Sequence, residues 1–174
     1  MKAMVLHDYF ESLEGGGRLS SILAERLPAD LGYGFAKAGH PFLTSRSFGQ
    51  YDLRAFSRLP LWRQFKLSLA FAHRTDFLRD YETVIYSGFY SPLAVRHHPH
   101  GRNILYCHTP PRFIYDQREF YLSSLPIWLR PALQAFIDYL QPRYEDAVAQ
   151  MDTIVANSEN VRRRVQHYLG KEAV

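Results

Sequence analysis

The stretch of the chain that carries the most chemistry is residues 103–118, which read NILYCHTPPRFIYDQR. A short apolar run, Ile104–Cys107, ends at the polar side chain of His108, and Pro110 and Pro111 follow. An apolar run of this length with polar boundaries is typical of a buried strand. In an open α/β sheet, ligands bind outside the carboxyl ends of the strands. His108 therefore stands where a functional residue is expected; the alternative is a histidine that only caps the strand.

Three consecutive glycines, Gly15, Gly16 and Gly17, precede a helix that we predict to begin near Arg18. Glycines before a helix let the backbone approach a ligand closely, and the free N–H groups at the helix N-terminus favour a phosphate. The spacing matches neither G-x-G-x-x-G nor a Walker loop. The glycines therefore indicate proximity to a diphosphate, and a flexible connector is the alternative interpretation.

Two further polar residues, His7 and Asp8, end the first apolar run of the chain. If that strand and the strand before His108 are both central in the sheet, their side chains face one cleft. Local hydrogen bonding in a turn is the alternative for His7 and Asp8.

The cluster His97, His98 and His100 matches the spacing of no common closed metal site, and no cysteine or carboxylate cluster accompanies it. We interpret these histidines as part of a solvated loop and expect no metal.

These residues must be positioned by alternating strands and helices. Short apolar or β-branched runs with polar boundaries predict four strands and a weaker fifth, which are Lys2–His7, Thr83–Ser87, Asn103–Cys107, Thr153–Ala156 and, interrupted by glycines, Leu31–Ala36. Helical spacing of apolar residues predicts four helices, which are Arg18–Leu27, Leu61–Leu78, Ile127–Gln150 and Ser158–Leu169. This alternation predicts an α/β fold, a Rossmann-like doubly wound parallel sheet flanked by helices.

Some details of these elements follow from single residues. Pro131 suits the first turn of the long helix, whereas Pro142 is expected to kink or break it. Ser158 is a suitable N-cap and Gly170 a suitable C-cap for the last helix. Residues 39–57 have little periodicity and are expected to form a long loop or irregular excursion.

Length and composition limit the class of protein. The chain has 174 residues, of which 47% are hydrophobic and 22% charged, as expected for one globular domain. The single cysteine, Cys107, excludes an internal disulfide. Nothing resembles a signal peptide or a membrane-spanning run, so we expect a cytoplasmic protein. The net charge is +4, but no lysine-rich stripe or RNA-binding aromatic motif supports nucleic acid as a partner.

Residues 61–67 (LWRQFKL) combine bulky apolar side chains with basic ones. Tryptophan and arginine are typical of helices that lie at a membrane interface, so this segment could contact the membrane surface. Residues 127–130 (IWLR) have a similar composition and support this interpretation. The alternative is a helix packed on the sheet with Arg63 and Lys66 exposed.

Several motifs, in order along nearly the whole chain, together resemble a known family. They are the opening strand with His7–Phe10, Gly15 and Gly16 before a helix, Tyr81–Ser87, Tyr106–Pro110 with Arg112, Tyr115 and Asp116 behind it, and Ile154–Ser158. The chain resembles the N-terminal half of a retaining glycosyltransferase of family 4 with the GT-B fold. The most similar branch contains the mannosyltransferase-like enzymes of bacterial O-antigen and capsule assembly.

The resemblance implies an architecture. Enzymes of this fold have two Rossmann-like domains with the active site in the cleft between them; the N-terminal domain mainly binds the acceptor. The second domain holds most of the nucleotide-sugar and carries an E-x7-E motif. By resemblance, residues 1–174 form the acceptor-side domain, and the donor-binding domain is absent from this chain. We therefore expect the 174-residue chain to have no transferase activity alone.

The resemblance also implies roles for individual residues. His108 would contact the transferred sugar and position it, without acting as the base. The other implied positions fall into three groups: near the donor diphosphate Gly15, Gly16 and Gly17; on the acceptor side Asp8, Arg112, Tyr115 and Asp116; and at the cleft edge near the interdomain hinge Asn157 and Ser158. One departure is Arg18, which stands where relatives often carry glutamate.

The implied reaction transfers a hexose from a nucleotide-sugar to a glycan or lipid-linked acceptor, with retention at the anomeric carbon and without a metal or other cofactor. The most similar branch implies mannose from GDP-mannose. The protein would be cytoplasmic or peripheral on the inner face of the cytoplasmic membrane, and the isolated domain could form a homodimer through its bared cleft. Two alternatives remain: a stand-alone acceptor-binding, membrane-recruiting subunit that needs a separate donor-domain partner, and a non-catalytic nucleotide- or flavin-binding module.

Overall fold

Six parallel strands form one sheet in the order β3-β2-β1-β4-β5-β6 in the computed structural model, which describes residues 2–44 and 48–174. The strands are β1 Ala3–His7, β2 Asp30–Tyr33, β3 Gln50–Asp52, β4 Thr83–Ser87, β5 Arg102–Cys107 and β6 Thr153–Ala156. The chain builds outward from β1 to β3, then crosses back to β4 on the other side of β1. The strand order therefore reverses between β1 and β4, and an open α/β sheet binds ligands at such a switch point.

Helices cover both faces of the sheet, which confirms the predicted α/β doubly wound fold. The helices are α1 Gly15–Arg26, α2 Pro60–His73, α3 Arg118–Ser123, α4 Arg130–Ala149 and α5 Glu159–Leu169. Side chains alternate along β1: Met4 and Leu6 join the large core cluster with residues of α2, α4 and α5, whereas Val5 joins a smaller cluster that includes Ala24 of α1. All five residues of β1 are buried, as expected for the centre of a parallel sheet.

The predicted strands agree closely with the observed ones, except on the β2 side of the sheet. The strand predicted over Leu31–Ala36 lies at Asp30–Tyr33. The interpretation of residues 39–57 as loop was wrong in part, because Gln50–Asp52 forms β3. Residues 45–47 of that range lie outside the described residues. Strand β3 has three residues with exposed or half-exposed side chains. This strand is defined by its pairing with β2, and no local sequence pattern reveals that pairing.

The helix bounds need three corrections. First, α1 begins at Gly15, so the glycines form its first turn and not a connector. Second, the helix predicted over Leu61–Leu78 ends at His73, and a 3-10 turn follows at Asp76–Asp80. Third, Ile127–Leu129 is a separate 3-10 turn before α4. The short helix α3 was not predicted.

The two prolines of α4 behave differently from one another. Pro131 lies in the first turn, as predicted. Pro142 does not break the helix, which continues from Arg130 to Ala149. Pro142 is exposed, so the backbone carbonyl one turn earlier, which loses its N–H partner, can bond to water.

The last helix, α5, has the predicted caps. The Ser158 hydroxyl accepts from the backbone N–H of Val161, and Gly170 adopts the left-handed conformation with φ of 61°. Beyond the helix, the N–H of Val174 donates to the carbonyl of Ile154 and its carbonyl accepts from the N–H of Ala156. Among the described residues, no helix combines the length and apolar character needed to cross a membrane.

Candidate functional site

A cleft of about 280 Å³ opens at the switch point of the sheet. Its wall comes from the carboxyl ends of three adjacent strands and from the start of α1. The residues are His7–Tyr9 at the end of β1, Gly88 and Phe89 after β4, His108 and Thr109 after β5, and Glu14–Gly16. The structure thus brings together His108, Asp8, Gly15 and Gly16, which the sequence marked separately.

The start of α1 presents backbone donors to this cleft. The first intrahelical bond runs from the N–H of Arg18 to the carbonyl of Glu14, at 3.1 Å. The N–H groups of Gly15, Gly16 and Gly17 therefore have no intrahelical acceptor. The N-cap residue Glu14 makes no side-chain cap. Free N–H groups at the positive end of a helix can hold an anion.

The glycines allow two histidine rings to approach this turn. A Cβ on Gly16 would lie 3.4 Å from Cε1 of His7 and 3.5 Å from Nε2 of His108. A Cβ on Gly17 would lie 3.2 Å from the ring of Phe10. Gly16 thus stands between the two imidazoles, whereas Gly17 is buried and packs against Phe10 and His7.

Two serine hydroxyls connect the two histidines below the cleft. The Ser87 hydroxyl oxygen lies 2.9 Å from Nε2 of His108 and 2.9 Å from the hydroxyl oxygen of Ser20. The Ser20 hydroxyl also lies 2.9 Å from the carbonyl oxygen of Gly16 and 3.2 Å from Nδ1 of His7. The network therefore ties α1, β1, β4 and β5 to one another directly under the cleft.

The tautomer of His7 follows from its closest contact. Its Nδ1 lies 2.6 Å from the carbonyl oxygen of Ser87, and a carbonyl only accepts, so Nδ1 carries the proton. Nε2 is then an acceptor. Burial, opposed by the bond to Ser87, lowers the pKa of His7 to about 4. His7 is therefore neutral at physiological pH.

His108 is also neutral at physiological pH. Burial lowers its pKa below the ordinary value for histidine. A neutral imidazole donates one hydrogen bond and accepts another, so it can orient a hydroxyl-bearing ligand without adding charge. His108 lines the cleft, as the sequence predicts for a functional residue at the end of β5.

Asp8 lines the same cleft but its carboxylate serves the protein backbone. Its two oxygens accept from the N–H groups of Phe89, Tyr90 and Ser91, at 2.5–2.9 Å. A Cβ on Gly88 would lie within about 2.6 Å of all three carboxyl atoms, so glycine is required there. Burial raises the pKa of Asp8 to about 6 against these three bonds. Asp8 fixes the loop after β4 as the far wall of the cleft.

One acidic side chain stands at the rim. Glu14 lines the cleft beside Gly15 and Gly16. Burial, and then the charge of Glu11, raise the pKa of Glu14 above its ordinary value. A carboxylate here opposes an anion at the start of α1 whenever it is ionised.

The other predicted acceptor-side residues, Arg112, Tyr115 and Asp116, form a second cluster and do not line the cleft. Asp116 accepts from Arg112 at 2.9 Å and from both terminal nitrogens of Arg164 at 2.8 and 2.9 Å. Those two guanidinium groups hold the pKa of Asp116 well below its usual range. The Tyr115 hydroxyl donates to Glu145 at 3.2 Å. This cluster joins the loop after β5 to α4 and α5.

The remaining predicted residues, Asn157 and Ser158, lie at the carboxyl end of β6 and are exposed. The Ser158 hydroxyl donates to Oδ1 of Asn157 at 3.2 Å and caps α5. Neither residue lines the cleft. Thr109 does line the cleft, and its hydroxyl oxygen accepts from Nε of Arg164 at 3.1 Å.

The interpretation of His97 and His98 as a solvated loop was wrong. His97 ends a 3-10 turn, its Nδ1 lies 2.7 Å from Asp76 and its Nε2 2.8 Å from the carbonyl of Ala72. His98 is buried between Asn103 and the backbone of Tyr81. Within residues 2–44 and 48–174, no group of three His, Cys, Asp or Glu residues could hold a metal ion.

Sequence reasoning missed Ser20, Ser87, Glu14 and Arg164. The sequence offered a signal for Ser87, which ends a predicted strand on the same edge as His7 and His108. Ser20 and Arg164 are recognisable only through partners that are distant in the chain, at 67 positions for Ser20 and Ser87 and at 48 for Arg164 and Asp116. Glu14 directly precedes the glycines, but only the structure shows that it lines the cleft.

Comparison with known proteins adds no relative: no protein-family model matches the chain, and no curated protein matches it.

Proposed function

We propose that this chain is the acceptor-side domain of a retaining glycosyltransferase of the GT-B type, which transfers a hexose from a nucleotide-sugar to a glycan or lipid-linked acceptor. One observation carries the proposal. The free N–H groups of the first turn of α1 and the neutral His108 face one cleft at the switch point of the sheet, with Gly16 between them.

The chemistry of sugar transfer from a nucleotide-sugar suits this arrangement. As the bond from the anomeric carbon to the diphosphate breaks, negative charge grows on the leaving diphosphate. Oriented backbone donors that need no reorganisation stabilise such charge. Within the proposal, Gly15 and Gly16 supply part of that stabilisation, and Gly17 allows the helix to pack close enough to β1 to do so.

His108 would orient the transferred sugar. Its lowered pKa keeps the ring neutral, so it can exchange hydrogen bonds with a sugar hydroxyl while Ser87 holds Nε2. Asp8 is assigned a positioning role, because its oxygens are bonded to three backbone N–H groups. No general base or nucleophile is assigned to this chain.

Most of the positive charge needed by the diphosphate must come from outside this cleft. Among residues 2–44 and 48–174, no lysine or arginine lines the cleft, whereas the acidic Asp8 and Glu14 do. We therefore propose that a second domain supplies the donor site, either as part of the same polypeptide or as a separate subunit. Mannose from GDP-mannose is the donor proposed from the resemblance, and the cytoplasm is the proposed compartment.

The test is hexose transfer by the protein encoded by the complete reading frame, or by this chain mixed with a donor-domain partner. A radiolabelled nucleotide-sugar and a lipid-linked glycan acceptor are the substrates, and proton NMR of the product gives the anomeric configuration. His108→Ala should lower kcat by about a hundredfold, because the sugar would lose its alignment. His73→Ala, an exposed histidine at the end of α2, should not.

An inverted anomeric product, or equal rates for the two variants, would contradict the proposal. Turnover by the 174-residue chain alone would contradict the need for a second domain. Tight binding of flavin or a free nucleotide without a second domain would instead favour the non-catalytic module.

A further inference from the structure

A groove of about 200 Å³ lies beside the cleft, between the start of α2 and the segment that contains α3 and the start of α4. Its lining is mainly apolar and includes Leu61, Phe113, Leu125 and Leu133. The groove adjoins the cleft, because Phe89 lines the cleft and the next residue, Tyr90, lines the groove.

The rims of this groove expose large apolar side chains that the fold does not cover. On the α2 side, Leu59 is 67% and Trp62 is 52% exposed. On the other side, Phe120, Ile127 and Trp128 are 65–76% exposed. Each lies within three positions of a groove-lining residue, so we refer to these five side chains and the groove as the apolar rim surface. An exposed surface of this kind marks an interaction site.

The charged side chains around the apolar rim surface are mainly basic. Residues 53–75 contain Arg54, Arg58, Arg63, Lys66 and Arg74 and no acidic residue, and residues 120–137 contain Arg130 and no acidic residue. The acidic residues nearest the second range are Glu119, beside Phe120, and Asp138, which pairs with Arg118 at 2.9 Å. Arg63 is paired with Glu11 at 2.9 Å. Lys66 instead donates to the backbone carbonyl of Phe56, which leaves its positive charge uncompensated.

We propose that the apolar rim surface docks on an anionic phospholipid membrane. Tryptophan, leucine and isoleucine side chains with adjacent arginine and lysine suit the boundary between headgroups and acyl chains. The uncompensated positive charges complement anionic headgroups. A protein partner with as many basic as acidic groups would leave most of these basic side chains without an acidic partner.

Docking in this way would hold the cleft next to the membrane. That a lipid-linked acceptor then reaches His108 rests on the proposed function; the docking itself rests only on exposed side chains and charge. The two can therefore fail separately, because vesicle binding is measured without any sugar or enzymatic turnover.

The chain offers a direct probe, since its only two tryptophans, Trp62 and Trp128, both belong to the apolar rim surface. We expect their fluorescence to shift to shorter wavelength with phosphatidylglycerol-containing vesicles and to be quenched by brominated acyl chains. Vesicles of phosphatidylcholine alone should bind at least about tenfold more weakly.

Substitutions test the apolar and the electrostatic contributions to membrane binding separately. Trp62→Ser and Trp128→Ser should each weaken co-sedimentation with anionic vesicles by about tenfold, and Arg58→Gln by about fivefold. Matched controls lie at the end of α1, which covers the opposite face of the sheet. They are Arg26→Gln, at the last residue of α1, and Leu27→Ser, at the next residue, which is 48% exposed. Both should bind vesicles as the unsubstituted chain does.

Three results would overturn the proposal. Absence of binding to anionic vesicles would do so, as would equal loss of binding in the α1 controls. Concentration-dependent dimerisation without lipid, abolished by Trp62→Ser in sedimentation experiments, would assign the surface to a second copy of the chain.

Discussion

Nε2 of His108, after β5, lies 2.9 Å from the hydroxyl oxygen of Ser87, the last residue of β4. The contact joins the carboxyl ends of two adjacent parallel strands at the floor of the cleft, and the same hydroxyl accepts from the hydroxyl of Ser20 in α1. One serine thus sets the orientation of the histidine to which we assign the sugar contact, and four predictions follow from this cleft.

Replacing Ser87 by alanine should release the ring of His108. We expect the side-chain nitrogen resonances of His108 in NMR spectra to shift toward averaged tautomers, with a loss of about 1 kcal/mol in the free energy of unfolding. Ser91→Ala is the control, because no described residue bonds to the buried Ser91 hydroxyl. Unchanged His108 resonances in Ser87→Ala would show that the contact does not orient the ring.

Replacing Asp8 by asparagine should destabilise the fold. The amide NH2 cannot accept from the N–H groups of Phe89, Tyr90 and Ser91, and one or more of these buried donors would lose its partner. We expect a loss of about 3 kcal/mol in urea denaturation. Asp80→Asn, at an exposed aspartate, should cost little. Equal midpoints for the two variants would contradict the role given to Asp8.

His7 should make stability depend on pH. Its pKa is about 4 in the folded protein and 6.5 in the unfolded chain. Between these two pH values, the unfolded chain therefore binds more protons than the folded protein. The stability from neutral His7 is fully present above pH 6.5 and is lost as the pH falls through about 4. This amounts to about 3 kcal/mol.

Comparison with His7→Asn isolates this contribution, because an asparagine amide can still donate to the carbonyl of Ser87. Asp8, whose pKa is raised to about 6, contributes with the opposite sign in both proteins and cancels in the difference. In urea denaturation, the free energy of unfolding of the unsubstituted chain should fall relative to that of His7→Asn as the pH is lowered from 7.5 to about 4. A gap that does not change with pH would contradict the neutral, buried state of His7.

Replacing Glu14 by glutamine should strengthen anion binding at the start of α1. Removing one carboxylate from the rim should tighten the Kd for pyrophosphate by about fivefold, because the charge acts across a partly solvated cleft. Glu25→Gln, near the other end of α1, should have no effect. Isothermal titration calorimetry of both variants checks this, and weaker binding by Glu14→Gln would place the anion elsewhere.

Local pattern was sufficient for four of the six strands, including β5 and β6, which keep half-exposed side chains. β1, β4, β5 and β6 are predicted within one residue because their apolar runs end sharply at polar residues. β3 is different: Gln50, Tyr51 and Asp52 are paired by β2 along one edge of the sheet, and no internal periodicity marks them. The helix cap at Ser158 was also predictable, since a cap bonds within its own turn.

The sequence by itself determined the alternation of strands and helices, and with it which residues end strands. From that alone, His7, Asp8 and His108 belong to one edge of the sheet, because carboxyl ends of parallel strands meet there. Tertiary structure decided what each residue does at that edge. In the folded chain, Asp8 accepts from three backbone N–H groups, and Asp116 binds Arg112 and Arg164 outside the cleft. Ser20 and Ser87 lie between the two histidines. These outcomes depend on contacts between residues far apart in the chain, whose distances and burial no local pattern encodes.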